Sequence, residues 1–176
     1  MDDMSTLVEY RDFMDDCPAT EARWLDELEA RAWRGYTRMC IELEAALSRE
    51  LSRHSGLSHA DYAVLVELSE AADGRLRAFQ LGRALRWEKS RLSHHLKRME
   101  ARGLISRQDC AEDARGSEVV LTGDGRATIE SAAPAHVEDV RRLMIGHLTP
   151  EQLAVLADAA EVVLAGLEAE EDESRG

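Results

Sequence analysis

Apolar residues recur at steps of three or four along a stretch near the start of the chain. This pattern runs from about Ala22 to Arg53 and predicts one continuous helix about 48 Å long. The apolar positions on its inner face are Leu25, Leu28, Ala32, Tyr36, Met39, Leu43, Leu47 and Leu51. A helix of this length is too long to bury against one small domain, so a partner helix or a second subunit is predicted to cover it.

Two further helices are predicted toward the C-terminus. Thr122 is the N-cap of the first, whose apolar stripe consists of Ile129, Ala133, Val137, Val140 and Met144. The second begins at "TPEQ", where Thr149 is the N-cap, Pro150 the first helical residue and Gln152 the closing residue of a capping box. The middle of the chain offers no surface large enough to cover these stripes.

The middle of the chain predicts three short helices followed by two strands. Ser58 caps the first helix, and Asp61 closes a capping box. The second helix covers about 78–85, and the third covers about 88–102 with Gly103 at its C-terminus. The segments "LISRQD" and "EVVLT" predict two strands separated by the polar loop "CAEDARGS".

The predicted fold class is therefore mainly α: a winged helix-turn-helix with long N- and C-terminal helices forming a dimerisation platform. The predicted organisation is an N-terminal extension at 1–20, a dimerisation helix at 21–55, a winged helix-turn-helix at 56–121, C-terminal dimerisation helices at 122–170 and an acidic tail at 171–176.

Charge is distributed very unevenly along this chain. The net charge is −13, yet the segment from Arg75 to Arg107 holds ten Lys or Arg against Glu88 and Glu100. A local excess of positive charge on an acidic background favours one specific anionic partner, because the remaining surface repels nonspecific polyanions.

A helical wheel of residues 88–102 separates an apolar face from a basic one. Leu92, Leu96 and Met99 share the inward stripe, and His94 lies at the centre of the opposite face. A helix with a small, polar and basic outer face fits the major groove of double-stranded DNA. The candidate DNA-binding residues in and before this helix are Arg77, Arg86, Lys89, Ser90, Arg91, His94, Lys97 and Arg98.

The sequence resembles the MarR-type winged helix-turn-helix regulators over roughly residues 24–168. The motifs that carry the resemblance are "GLSHADYAVLVELSEA", "LGRALRWEKSRLSHHLKRMEARGLISR" and "DARGSEVVLTGDGR". It implies a wing-tip motif at Asp113, Arg115 and Gly116, with Arg115 as a further DNA-binding residue that reaches the minor groove. Many members have a basic residue where Ala114 stands, so a weaker wing contact is expected.

The same resemblance implies a homodimer that binds a pseudo-palindromic operator and acts as a repressor released by a small aromatic ligand. Trp33, Tyr36, Tyr62 and Trp87 are the candidate ligand-binding residues, because their rings can stack on a flat compound. They are equally suited to be core aromatics.

Other chemistry has less support in the sequence. No catalytic arrangement, cofactor motif or metal-ligand cluster is predicted, since adjacent His94 and His95 point about 100° apart on a helix. A redox-sensing regulator is an alternative, although acidic neighbours disfavour a reactive thiol at Cys17 and Cys110, and Cys40 is expected in the core. An acidic helical protein-interaction module is a second alternative. No membrane span or signal sequence is predicted, and a cytoplasmic location is expected.

Overall fold

The computed structural model describes residues 23–110 and 113–173, with side chains of residues 109–116 excluded. Within these ranges the chain forms six α-helices and three strands. The helices are α1 (Glu27–Ser55), α2 (His59–Glu70), α3 (Ala78–Ala84), α4 (Lys89–Ala101), α5 (Gly123–Leu143) and α6 (Pro150–Glu173). The strands are β1 (Arg75–Arg77), β2 (Ile105–Cys110) and β3 (Asp113–Leu121). The predicted extension at 1–20 lies outside the described residues.

The described part of the chain divides into two compact units between Met39 and Cys40, and this division falls within helix α1. Helix α1 begins five residues later than the sequence pattern predicts. The Asp26 side chain accepts a hydrogen bond from the Glu29 N–H, and the Glu29 side chain accepts one from the Asp26 N–H. This reciprocal cap fixes the start of the helix.

A single core of aliphatic side chains fills the second unit. It combines the end of α1 with α2, α3, α4, the sheet and the start of α5. Its buried members are Leu51, Leu57, Val64, Leu65, Leu68, Leu81, Leu92, Leu96, Met99, Leu104, Ile105, Val119, Ile129 and Ala132. The α2 helix starts with the predicted capping box, in which Ser58 and Asp61 exchange hydrogen bonds. Gly103 follows α4 with a φ of 75°, a conformation that suits glycine.

The two predicted strands of the wing are confirmed as β2 and β3, and the sheet contains a third strand, β1, that the sequence pattern did not predict. Strand β1 pairs antiparallel with β3, which also pairs with β2, and the strand order is β1-β3-β2. Three residues, two of them basic, are too few to give an apolar alternation in the sequence. The polar loop was also predicted too long, since β3 already begins at Asp113. The exposed hairpin of β2 and β3 is held by backbone hydrogen bonds, so its strands need not alternate apolar and polar side chains.

Helix α5 approaches the sheet closely at its first turn. The Thr122 hydroxyl accepts a hydrogen bond from the Gly125 N–H at 2.9 Å, which confirms its predicted role as N-cap. The same hydroxyl donates to the backbone of the segment before β2, 2.9 Å from the Leu104 carbonyl. Gly125 is buried there, and a Cβ at this position would lie 2.0 Å from that carbonyl oxygen.

Helix α6 starts with the predicted cap, in which Thr149 and Gln152 exchange hydrogen bonds at 2.9 and 3.2 Å. It extends to Glu173, so residues 171–173, the described half of the segment predicted as an acidic tail, are helical. None of its residues is buried within the single chain. Its exposed apolar side chains are Val155, Val162, Val163, Leu164 and Leu167. No helix in the described part of the chain has the length and apolar character required to cross a membrane.

Candidate nucleic-acid interface

Helix α4 has one buried and one exposed face. Leu92, Leu96 and Met99 are buried in the core, as the helical wheel predicts. The six candidate DNA-binding residues of this helix are all exposed: Lys89, Ser90, Arg91, His94, Lys97 and Arg98. The helix therefore presents a continuous row of hydrogen-bond donors and positive charge to solvent.

The candidate residues outside α4 are placed differently from one another. Arg77 is half-buried at the junction of β1 and α3. Arg86 has a φ of 53°, and its Nη1 lies 2.6 Å from a carboxylate oxygen of Glu171. The predicted wing motif of Asp113, Arg115 and Gly116 belongs to β3 by its backbone, but these side chains lie outside the description.

Part of the basic surface is matched by acidic residues of the same chain. Glu168, Glu171 and Asp172, near the end of α6, line one groove together with Arg83 and Lys89. The sequence pattern did not indicate this proximity, because the acidic end of the chain is 85 residues from Arg86. Arg86 is therefore held by a carboxylate in the free protein.

A polar cluster beneath α4 was missed by the sequence analysis. His95 and Asp61 are only 6% and 5% exposed, and His95 Nε2 lies 3.1 Å from Asp61 Oδ1. The two atoms are within hydrogen-bonding distance, but their alignment is not that of an ideal hydrogen bond. The other Asp61 oxygen accepts a hydrogen bond from Arg102 at 2.7 Å. Asp61 thus caps α2 and anchors α4 at once.

The ionisation states of this cluster follow from its surroundings. Burial alone would raise the pKa of Asp61, but hydrogen bonds from Ser58 and Arg102 outweigh it and hold that pKa below its ordinary value. Burial lowers the pKa of His95, and the Asp61 carboxylate opposes this effect only in part. The guanidinium groups of Arg98 and Arg91 lower it further. Asp61 is charged and His95 is neutral near neutral pH.

A second histidine is also kept neutral by burial. The ring of His136 on α5 packs at a tilt of 46° against Tyr62, with 4.4 Å between the ring centroids. Burial lowers the pKa of His136, His59 adds to this effect, and Asp139 opposes it. Its Nδ1 is buried and has no hydrogen-bond partner among the described residues.

The free energy of unfolding is expected to decrease as the pH falls below about 6.5. Because the folded pKa values of His95 and His136 are lowered, the unfolded chain binds more protons in this range. The stabilisation is complete above the unfolded pKa and is lost as the pH falls toward the folded values. Urea midpoints measured between about pH 7.5 and about pH 5.5 test this. The double variant His95→Gln, His136→Gln should show a flatter profile, and a parent midpoint that stays constant or rises would contradict the assignment.

Two of the four candidate ligand-binding aromatics lie in each unit. Trp33 and Tyr36, in the first unit, are 60% and 56% exposed and pair with each other at 6.3 Å between ring centroids. In the second unit, Tyr62 packs on His136. Trp87 contacts the edge of His95 at 5.2 Å and carries the Arg91 guanidinium 4.4 Å above its ring. Trp87 lines a groove beside α4 that Tyr62 does not line.

Among the described residues, Glu50, His54 and Asp139 form a cluster of possible metal ligands that was not predicted from the sequence. The side-chain ligand atoms of Glu50, His54 and Asp139 lie within 4.8 Å of one another. Asp139 is distant in sequence, so spacing did not reveal the group. Arg142 donates to Asp139 at 2.7 Å and Arg53 donates to Glu50 at 2.7 Å. Both carboxylates are already neutralised, so we interpret the cluster as an ion-pair network.

Of the three cysteines, Cys40 is exposed in the single chain, so its expected core position is wrong for the isolated subunit. Its place at the edge of the apolar stripe of α1 gives it no cover within its own chain. Cys17 and the side chain of Cys110 lie outside the described residues.

Comparison with known proteins identifies the family. A family model described as MarR family matches residues 55–116, the segment from the start of α2 to the wing. The crystal structure of AbsC, a MarR family transcriptional regulator from Streptomyces coelicolor, is 39% identical in sequence with a TM-score of 0.79. The alignment covers 84% of this chain and 99% of that one. The chain belongs to the MarR family of transcriptional regulators.

Two further matches agree with this assignment. Sco3205 from Streptomyces coelicolor, solved in complex with DNA, is 38% identical with a TM-score of 0.79 over 83% of this chain and 92% of that chain. The HTH-type transcriptional repressor YetL of Bacillus subtilis is 28% identical over 97 residues. That alignment covers 55% of this chain and 58% of YetL, so the chain matches little more than half the length of this curated relative.

Proposed function

We propose that this MarR-family protein is a homodimeric repressor that binds a pseudo-palindromic DNA operator through α4 and the wing. The observation that carries the proposal is the division of α4 into a buried apolar face and an exposed basic face. A helix supported in this way can enter the major groove while its inner face stays packed on the core. Sco3205, which was solved in complex with DNA, supports DNA binding by family similarity.

The exposed residues of α4 have different proposed roles. His94 and Lys97, near the middle of the outward face, meet base edges, because only the centre of a groove-bound helix reaches them. Arg91 and Arg98 lie on one flank and contact backbone phosphates. Arg77 and Arg86 precede the helix and contact phosphates beside the groove, and Arg115 on the wing enters the minor groove.

The dimer is proposed from exposed apolar surface. Helix α6 buries no side chain within its own chain, and Val162 on it is 73% exposed. Exposed apolar residues on both outer helices require a cover, and a second copy of the chain provides one. A two-fold dimer presents two α4 helices to two half-sites about one helical turn apart, roughly 34–36 Å.

The proposed DNA binding is tested by titrating a labelled duplex of the DNA upstream of the gene with the protein. The apparent association constant is expected to fall steeply as salt is raised, because each phosphate contact releases counterions. The Arg98→Ala variant, which removes a proposed phosphate contact, should bind more weakly and show a smaller salt slope. Arg141→Ala, which removes an exposed charge from α5, is the matched control and should bind as the parent does. Binding that ignores salt, or that prefers single strands, would contradict the proposal.

The regulatory signal is proposed to be a small aromatic anion. The exposed guanidinium of Arg91 lies over the Trp87 ring, and this planar cation on an aromatic ring suits a flat compound bearing a carboxylate. Such a ligand should weaken operator binding by a coupling of about 1–3 kcal/mol and quench tryptophan fluorescence over the same concentration range. A screen of aromatic acids against the protein–DNA complex tests this. If none releases DNA while peroxide does, and Cys17→Ser resists peroxide, the redox alternative replaces the ligand proposal.

A further inference from the structure

His95 lies under a row of basic side chains on α4. Arg91, His95, Arg98 and Arg102 follow one another at intervals of four, three and four residues, which places them on one stripe of the helix. The three arginines are exposed, whereas His95 is 6% exposed. Arg91 and Arg98 are about 10 Å apart along the helix axis. His95 is therefore the buried residue between two proposed phosphate contacts.

Contacts on both sides of the imidazole fix its tautomer. Arg98 Nη2 lies 2.9 Å from His95 Nδ1. A guanidinium nitrogen can only donate, so Nδ1 must be the acceptor and the proton must be on Nε2. Nε2 faces the Asp61 carboxylate at 3.1 Å, where an N–H is favoured. Asp61 itself accepts hydrogen bonds from the Ser58 N–H at 3.0 Å and from Arg102 at 2.7 Å. The carboxylate that faces Nε2 is therefore fixed in place, and it orients the imidazole of His95.

The His95 ring is also linked to Arg91, through the side chain of Trp87. His95 meets Trp87 in an edge-on contact at 5.2 Å, and the Arg91 guanidinium lies 4.4 Å above the Trp87 ring. A cation held over an indole face has a restricted position. The chain of contacts runs from Asp61 to His95, and from His95 directly to Arg98 and through Trp87 to Arg91.

We propose that His95 is a positioning residue for DNA binding, which holds Arg98, and through Trp87 also Arg91, in the direction required to meet the phosphate backbone. This inference rests on the proposed function, since it assigns a role to arginines that contact phosphates there. Its physical basis is preorganisation: an arginine already held in place loses less side-chain entropy when it binds DNA.

Two substitutions separate the two contacts of the imidazole. His95→Gln keeps an N–H that reaches toward Asp61 but removes the acceptor that faces Arg98. His95→Asn keeps an acceptor near the position of Nδ1 but removes the donor toward Asp61. His147→Gln, at an exposed position outside α4 and the wing, is the matched control for the residue change itself.

The expected result is a division of effects between these variants. His95→Gln should bind duplex DNA about threefold to tenfold more weakly at low salt, with the urea midpoint close to that of the parent. Its salt slope should decrease by about one. His95→Asn should unfold at lower urea concentration but retain the parent salt slope. A parent-like affinity and salt slope in His95→Gln would overturn the proposal.

A double-variant cycle keeps the proposal testable if either substitution perturbs folding. If His95 acts through Arg98, then His95→Gln should cause little further loss of affinity in an Arg98→Gln background. Losses that add fully would show that His95 acts only by supporting the fold, and would overturn the proposal.

A measurement without DNA distinguishes failure of this inference from failure of the proposed function. Nitrogen NMR of the free protein should show the His95 proton on Nε2, with an Nδ1 signal that shifts on Arg98→Gln. A proton on Nδ1, or an Nδ1 signal that ignores Arg98, overturns the positioning role. If that signal is as expected and the parent binds no duplex, the proposed function fails instead.

Discussion

Replacing Gly125 with alanine is expected to destabilise the protein by about 3 kcal/mol or more, at the upper end of the cost of overpacking. The new Cβ would lie 2.0 Å from the Leu104 carbonyl oxygen and 2.9 Å from a methyl group of Leu121. A backbone oxygen cannot move aside as a flexible side chain does, so α5 must move away from the sheet. For a chain of this size the expected fall in melting temperature is about 6–12 °C.

Gly123 provides the matched control for this substitution. It is the first residue of α5, and a Cβ there would meet nothing within 4 Å. Gly123→Ala should therefore leave the melting temperature unchanged or raise it slightly, since alanine favours the helix by up to about 1 kcal/mol. Equal melting temperatures for the two variants would show that α5 does not approach the sheet as closely as described.

Deletion of residues 149–176 is expected to remove the dimer. Helix α6 contributes no buried residue to its own chain, so its apolar side chains are available to cover a second copy. The shortened protein should be a monomer or an aggregate in sedimentation, and its affinity for a two-site operator should collapse. In the dimer, binding of one α4 helix holds the other at a high effective concentration near the second half-site, and this advantage is lost when the subunits separate.

A point substitution makes the same test without removing a helix. Leu164→Glu introduces a charge on the apolar side of α6, where Leu164 is 58% exposed in the single chain. It should shift the protein toward monomer, whereas Glu161→Gln, at an exposed polar position of the same helix, should not. A shortened chain that stays dimeric, or a soluble monomer with full operator affinity, would refute the proposed interface.

Local signals in the sequence were sufficient for most of the helices. The caps at Ser58, Thr122 and Thr149 and the glycine at 103 act within a few residues, so their chemistry is visible without the fold. The inward stripe of α4 followed from helical periodicity alone. These features were predicted because each depends on neighbours in sequence.

The features that were missed all depend on distant partners. Strand β1 exists because its three residues pair with β3, about forty residues later. Arg86 is held by Glu171 at the far end of the chain. The sequence pattern gave His95 no role, because its partner Asp61 lies on another helix. A helical wheel indicates which side of a helix is apolar, but it does not show which buried polar residue has a partner.

The central claim is that the outward face of α4 reads DNA bases in the major groove. It is tested most directly by selecting preferred duplexes from a randomised pool with the parent, His94→Ala and Arg115→Ala. The parent should enrich a pseudo-palindrome with half-sites roughly 34–36 Å apart. His94→Ala should keep that spacing but change the preferred bases within each half-site, and Arg115→Ala should bind more weakly with unchanged preferences at the half-sites. Identical preferences and affinities for all three proteins would contradict the assignment of α4 to the groove.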